Sequence, residues 1–441
     1  EIVIFSNENT PFYNRVMLPH YVSGELKWEQ LVKMQDAEEA ALKIQHIRAV
    51  QVTAIDRDNK CVYDSRGIKT NYDVLILATG SRPSLPRHVP QLPGIFTMRS
   101  RTDADRLIKY LPKEAHVVIV GGGLLGLEMA ASLRENGTKI TIIQRVSRFL
   151  NRQLDPLGSQ LLHEQMVDLG CDIFYNDEVQ LYCGRNKLTK IELKSGRQIK
   201  CDAVILAIGT TPNIELAKEA NLLCQRGVVV DQHMKTSDPA IYAIGEIAEF
   251  EGTLYGSTAA AEEQAAVVAN YLQGDISSYY KGSLFMNIIK IQGFDLCSIG
   301  LAEAPNEEYE EIVFIDKAKR YYKKCIIHND RLVGAILIGD KNEFLEFKNL
   351  IANKIELSEM RLQLLRSGTP KEAVTGRLVC SCSQVGEGNL IRRMSDGCTD
   401  FQELCTSTGA GTGCGSCRAE VKSILENYII DNEKEAQLYA K

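Results

Sequence analysis

The chain has 441 residues, of which 44% are apolar and 24% charged, with a formal net charge of −6. These are the proportions of a globular protein of roughly three domains. No basic run is interleaved with aromatics, and the longest apolar runs, Val117–Val120 and Ala203–Ile208, are too short to span a bilayer, so no nucleic-acid partner and no membrane segment are expected.

The chain opens inside an apolar run, Glu1-Ile2-Val3-Ile4-Phe5, that reads as a strand without a beginning. The expectation is an N-terminus truncated within a domain and no signal peptide. Residues 1–110 alternate short strands with polar segments, and residues 116–230 read as strand, glycine-rich turn, helix and further strands. An Ala-rich helix is predicted over Thr258–Leu272. Met286–Gln292, Glu311–Asp316, Tyr321–His328 and Leu332–Ile338 read as an antiparallel sheet, followed by a helical stretch over 342–366 and a linker at Arg366–Lys371.

The clearest motif is His116–Val120 followed by Gly121-Gly122-Gly123-Leu124-Leu125-Gly126-Leu127-Glu128. A buried-type strand runs into a G-x-G-x-x-G turn, then a helix that Gly137 closes, then a second strand at Lys139–Ile143. Gly121 permits the tight turn, Gly123 lets the backbone approach a pyrophosphate, and Gly126 lets the helix pack close to the strand. The helix N-terminus offers free N–H groups to phosphate. The second strand ends in Gln144-Arg145 with no acidic residue for a ribose hydroxyl. Arg145 or Arg148 can instead meet a 2′-phosphate, leaving NADH and NADPH both open.

Seven of the thirteen cysteines stand singly: Cys61, Cys171, Cys183, Cys201, Cys224, Cys297 and Cys325. Most read as buried thiols. The other six crowd into Cys380–Cys417, which points to a metal site in a reducing, cytoplasmic compartment. Cys380-Ser381-Cys382 and Cys414-Gly415-Ser416-Cys417 are separated by 31 residues, with Gly409-Ala410-Gly411-Thr412-Gly413 as the turn between them. Four soft thiolates suit iron–sulfur or zinc, and the C-x-C end is unlike the usual zinc pattern. Cys398 and Cys405 fall outside the pattern and read as small buried apolar residues.

Three segments complete a flavoprotein pattern: Ala78-Thr79-Gly80-Ser81-Arg82-Pro83, Ala207-Ile208-Gly209-Thr210-Thr211-Pro212-Asn213, and Thr236 to Gly245-Glu246. Here the chain resembles the pyridine-nucleotide disulfide oxidoreductase family. The resemblance implies that the segments at Thr79-Gly80 and Gly209 cross between domains, that Glu246 contacts the FAD ribityl chain, and that Gly245 allows close backbone approach. Tyr13-Asn14-Arg15-Val16-Met17-Leu18 is similar to a segment lining FAD in the ferredoxin-reductase branch, and Glu8 stands where an acidic residue meets the FAD ribose. His20 takes the place of a lysine that relatives carry beside the flavin, opposite Glu128. The first strand and glycine turn of the FAD half are expected ahead of Glu1, in a longer polypeptide. No cysteine pair accompanies Cys61, so electrons are expected to leave the flavin outward, one at a time.

The segments around Cys380–Cys382 and Thr408–Cys417 resemble the bacterioferritin-associated-ferredoxin-like domain. That resemblance implies a 2Fe–2S cluster on Cys380, Cys382, Cys414 and Cys417. The order of parts is similar to the N-terminal portion of the large subunit of assimilatory NAD(P)H nitrite reductases and to nitrate reductase electron-transfer components. The expected architecture is α/β. It has two Rossmann-like domains, the first truncated at its N-terminus, an α+β C-terminal domain and a small Fe–S domain. The expected boundaries are 1–110 and 232–280 for FAD, 111–231 for NAD(P), 281–360 for the α+β domain, 361–376 for a linker and 377–430 for the cluster.

The cofactor-binding candidates are Glu8, Arg15, Thr79, Gly80, Gly121, Gly123, Gly126, Glu128, Arg145, Gly209, Gly245 and Glu246, with no separate catalytic residue. The function implied is an enzyme passing electrons from NAD(P)H through FAD and the cluster to a nitrite- or nitrate-reducing centre, in a chain able to form a homodimer. The alternatives are a reductase for a ferredoxin- or rubredoxin-type carrier, an amine- or amino-acid-oxidising complex, and a non-enzymatic module with a degenerate flavin site.

Overall fold

A computed structural model describes residues 1–291, 293–365 and 373–439, so the linker expected at Arg366–Lys371 lies outside the described residues. The chain divides into two compact units, one of residues 1–145 and 171–283, the other of residues 146–170 and the chain from Leu284 onward.

The first unit is built around a five-stranded parallel sheet. Its order is Asp172–Tyr175, Lys139–Gln144, His116–Val120, Ala203–Leu206 and Ile95–Thr97. The central strands are continuous apolar runs because both faces are covered. Val117, Val118, Ile119, Ile140, Ile142 and Ala203–Ile205 are all fully buried. An antiparallel meander, Val179–Cys183, Lys190–Leu193 and Gln198–Lys200, shares a core with this sheet.

The rest of the unit is made of smaller sheets. Ile2–Phe5 pairs in parallel with Ile44–Ile47, and Leu75–Leu77 with Ile241–Ala243. Ile2, Ile4, Val74 and Ile76 are exposed beside these pairs. Ser81–Pro83 pairs antiparallel with Thr210–Pro212, so the two segments read as crossings run side by side. The helix Thr258–Leu272 forms over its predicted span, with Ser257 as N-cap accepting from the Ala260 N–H.

The second unit holds a five-stranded antiparallel sheet ordered Met286–Ile291, Phe294–Gly300, Arg331–Ile338, Tyr321–His328 and Glu310–Asp316. Four of these strands are those predicted. The fifth, Phe294–Gly300, corrects the reading: Gly293, at φ +71°, turns the chain back on itself. The helical stretch over 342–366 is also corrected. It divides into a helix, Phe344–Ala352, and a 3-10 segment, Ser358–Leu365. Asn353 ends the first and Lys354 turns at φ +51°, after which Glu356 bridges to Arg331.

Buried lysines mark this sheet, each held by a carboxylate as burial of charge requires. Lys323 bonds Glu343, Lys324 bonds Asp155 and Glu311, and Lys341 bonds Asp295. Asp155 also accepts from Tyr322 and caps the helix Pro156–Asp168.

The cysteine module is a short hairpin, Leu378–Cys380 with Val385–Gly386, and three helices, Glu387–Ser395, Phe401–Thr408 and Arg418–Tyr439. Its small core includes Leu390, Leu404, Val421 and three of the four motif cysteines. Among the described residues no helix is long and apolar enough to cross a membrane.

Candidate redox sites

The three glycines of the nucleotide turn do different jobs. Gly121 sits at φ +114°, and a methyl group there would lie 2.3 Å from the Ala207 carbonyl oxygen. A methyl at Gly126 would lie 2.0 Å from the Gly121 carbonyl oxygen, so the helix Leu124–Glu135 rests directly on the turn. Gly123, the N-cap of that helix, has nothing within 4 Å of its missing side chain. Two glycines are therefore required by the protein's own packing, and the third leaves backbone open beside a helix N-terminus. That is the arrangement a phosphate needs.

Gln144 spans the turn, its Oε1 accepting from the Gly122 N–H at 3.2 Å. Sequence reasoning treated Gln144 only as a non-acidic residue and missed this role. Arg145 is exposed at the strand end, whereas Arg148 donates to Glu303 and to the Asn151 carbonyl oxygen. Of the two arginines, Arg145 is the one presented to solvent. Glu128 is buried on the second turn of the helix.

The flavin-side candidates meet in one polar network. Glu8 accepts from Tyr13 Oη at 2.8 Å and from Arg15 Nη2 at 2.7 Å. Arg15 Nη1 donates to the carbonyl oxygen of Arg99 at 2.5 Å, and Arg99 Nη2 donates to Glu246 Oε2 at 2.7 Å. Thr210 Oγ1 donates to the other oxygen of Glu246 at 2.6 Å. Burial alone would push the Glu246 carboxyl upward, but the bonds from Thr210 and Arg99 and the Arg99 charge outweigh it and hold the group below its usual range. Burial, with the bond to Glu8, pushes the Tyr13 hydroxyl up, so it remains a donor.

Three sequence-distant segments thus supply two carboxylates and two guanidiniums, and a fourth supplies the Thr210 hydroxyl. Carboxylates accept from sugar hydroxyls and guanidiniums bind phosphate, so the set is chemically suited to a dinucleotide. The surrounding loops are tied to each other. Thr79 Oγ1 donates to the Asn213 carbonyl oxygen at 3.0 Å and Asn213 Nδ2 returns a bond to the Thr79 carbonyl oxygen at 2.9 Å. Gly80 (φ +59°) lies against Arg99, Gly209 (φ +103°) is open, and the Gly245 N–H bonds Gln264 Oε1 at 2.7 Å. Arg99, Thr210 and Gln264 are the residues missed in the sequence. Arg99 sits in an ordinary loop ahead of a helix cap, with no motif to single it out. His20 pairs with Glu25 at 2.6 Å, so its imidazole is engaged on its own helix end.

The four motif cysteines converge. Cys382 and Cys414 sulfurs are 2.9 Å apart, the Gly411 N–H donates to Cys417 Sγ at 3.1 Å, and Ser416 Oγ lies 3.0 Å from Cys414 Sγ. Cys380 takes hydrogen bonds from Cys382 and Cys417. These, with backbone N–H groups of Gly411 and Ser383, overcome burial and lower its thiol below the ordinary range.

The sulfurs form a run, Cys414–Cys382–Cys380–Cys417. Among the described residues no group of three or more His, Cys, Asp or Glu side chains is arranged to hold a single metal ion. Four soft donors with backbone N–H groups aimed at sulfur fit an iron–sulfur cluster. Cys405 is buried, as predicted, behind Gly411. Cys398 is only half-buried and its thiol faces the Asp400 carbonyl oxygen, which corrects its reading as a buried apolar residue.

Residues 1–265 match the pyridine nucleotide-disulphide oxidoreductase family, residues 286–355 the rubredoxin NAD+ reductase C-terminal domain, and residues 378–427 the BFD-like 2Fe-2S binding domain. The NAD(P)H nitrite reductase of Bacillus subtilis is 30% identical over 97% of this chain and 54% of its own length. The assimilatory nitrate reductase electron transfer subunit of the same organism is 30% identical over 98% of this chain and 57% of its own. The chain therefore spans about half the length of these curated relatives. Among solved structures, the covalent putidaredoxin reductase–putidaredoxin complex matches with a TM-score of 0.75 at 27% identity, covering 81% of this chain and 88% of that one.

Proposed function

Because the chain belongs to the pyridine nucleotide-disulphide oxidoreductase family, we propose that it draws electrons from NAD(P)H and supplies them to a nitrite- or nitrate-reducing centre on the same or another polypeptide. Its cofactors are FAD, NAD(P)H and a 2Fe–2S cluster. Bound flavin converts a hydride into single electrons and the cluster carries them one at a time.

The chain's own residues prepare each site. The open backbone at Gly123 and the helix N-terminus receive the nucleotide pyrophosphate, with Arg145 at the adenosine end. Glu8, Arg15, Arg99 and Glu246 bind and orient FAD, and Cys380, Cys382, Cys414 and Cys417 ligate the cluster. The single observation that carries the reading is that one chain combines an open nucleotide turn with a converged set of four thiols, three of them buried. The 30% identity to a nitrite reductase and a nitrate reductase subunit along nearly the whole chain supports the choice of acceptor.

A second reading is a reductase for a rubredoxin- or ferredoxin-type carrier. It is favoured by the match of residues 286–355 to the rubredoxin NAD+ reductase C-terminal domain. NAD(P)H oxidation by the natural polypeptide separates the two. Oxidation that needs nitrite or nitrate and its reducing centre supports the first reading. Oxidation that ignores them and responds only to added rubredoxin or ferredoxin overturns it.

A further inference from the structure

The cysteine loop is not closed by its own module alone: Ser383 donates to the Gly409 carbonyl oxygen from within it, and the rest comes from outside. The helix Phe344–Ala352 belongs to the same compact unit, and one side of it fits the loop. A methyl at Gly409 would lie 2.7 Å from Leu345 Cδ1, and one at Gly413 would lie 3.2 Å from Phe344 Cε1. One helical turn further on, Lys348 Nζ donates to the Thr412 carbonyl oxygen at 2.6 Å and approaches that of Gly413 at 3.4 Å. Ile288, on the first strand of the sheet, packs against the module's core.

The carbonyls Lys348 holds belong to the two residues immediately before Cys414. An ammonium there ties down the loop that presents this thiol. It also places a positive charge on the loop that ends at Cys414. Reduction of an iron–sulfur cluster adds negative charge, and nearby charge and hydrogen bonding set how readily it occurs.

We propose that Lys348 is the positioning residue for electron entry: it seats the loop Gly409–Cys414 on the helix Phe344–Ala352, and its charge favours the reduced cluster. The inference rests on the functional reading above. Its test compares Lys348→Met, Lys348→Gln and Lys348→Arg in the natural polypeptide. The readouts are the reduced fraction of the cluster at fixed ambient potential, by electron paramagnetic resonance, and amide hydrogen exchange over residues 409–417.

In Lys348→Met the ratio of reduced to oxidised cluster falls about threefold to tenfold, a tenfold change being about 59 mV for one electron, and exchange in the loop accelerates. Lys348→Arg keeps the ratio within about twofold of the parent. Lys348→Gln, a donor without charge, loses the ratio like Met while keeping more of the exchange protection. Flavin reduction by NAD(P)H is unchanged in all three. Should Lys348→Met lose its iron, Lys348→Gln carries the same measurement. A neutral variant with parental ratio and parental exchange overturns the proposal. A parent protein that holds no iron, or that NAD(P)H does not reduce, overturns the functional reading instead.

Discussion

The nucleotide turn and the cysteine loop are both glycine-rich and both are completed by residues distant in the chain, yet by different means, backbone at the turn and side chains at the loop. At the turn, backbone forces the geometry: Gly121 meets the Ala207 carbonyl, just past the neighbouring strand Ala203–Leu206, and Gly126 meets the Gly121 carbonyl. At the loop, side chains crowd the glycines, Leu345 and Phe344 from outside the module and Ser383 and Cys382 from within it, and a further tie comes from Lys348, which is 64 residues from Thr412. The first site is a property of the parallel sheet and the turn at its edge. The second also draws on a helix outside the cysteine module, so changes at it reach beyond the cysteines.

The largest effect expected from breaking this comparison lies at the ligands themselves. Cys380→Ser removes the sulfur on which two neighbouring thiols converge. Iron and acid-labile sulfide are lost, with near-complete loss of the cluster's resonance signal, while NAD(P)H still bleaches the flavin.

The next effect separates packing from binding within the turn. Gly126→Ala drives a methyl into backbone and destabilises the protein by about 1–3 kcal/mol or more. Gly123→Ala meets no protein atom, so thermal unfolding without nucleotide shifts by less than about 0.5 kcal/mol while the Kd for NAD(P)H rises. Equal destabilisation by both would show that Gly123 is a packing residue like its neighbours.

A smaller effect belongs to the flavin-side network. Arg99→Leu leaves Glu246 a carboxylate without its guanidinium and costs about 1–3 kcal/mol near neutral pH. The sign with pH follows from the direction of the shift. The folded carboxyl lies below its usual 4.5, so its contribution is fully present above that pH and is lost as pH falls through the folded value. Urea unfolding across acid pH therefore shows a steeper loss in the parent than in Arg99→Leu. Parallel curves would contradict the assigned coupling.

The sequence was most readable where structure is local. The strand Lys139–Gln144, the glycine turn and the helix Thr258–Leu272 carry their own start and stop signals. It was least readable where a single residue redirects the chain. Gly293 divides an apolar stretch into two strands, and Lys354 divides a helical stretch into two segments. Side-chain networks were invisible for a related reason. Arg99 reaches Glu246 across 147 residues, and no periodicity or spacing encodes that pairing. Glu8 and Arg15 could be chosen from a motif, but the residue that joins them to Glu246 could be found only from the fold.

The most direct test is an anaerobic titration of the natural polypeptide with NAD(P)H, following flavin absorbance and the electron paramagnetic resonance of the iron–sulfur centre together. The account predicts flavin bleaching accompanied by one reduced cluster per chain. Bleaching with the cluster left oxidised, or a polypeptide without iron and acid-labile sulfide, would contradict it.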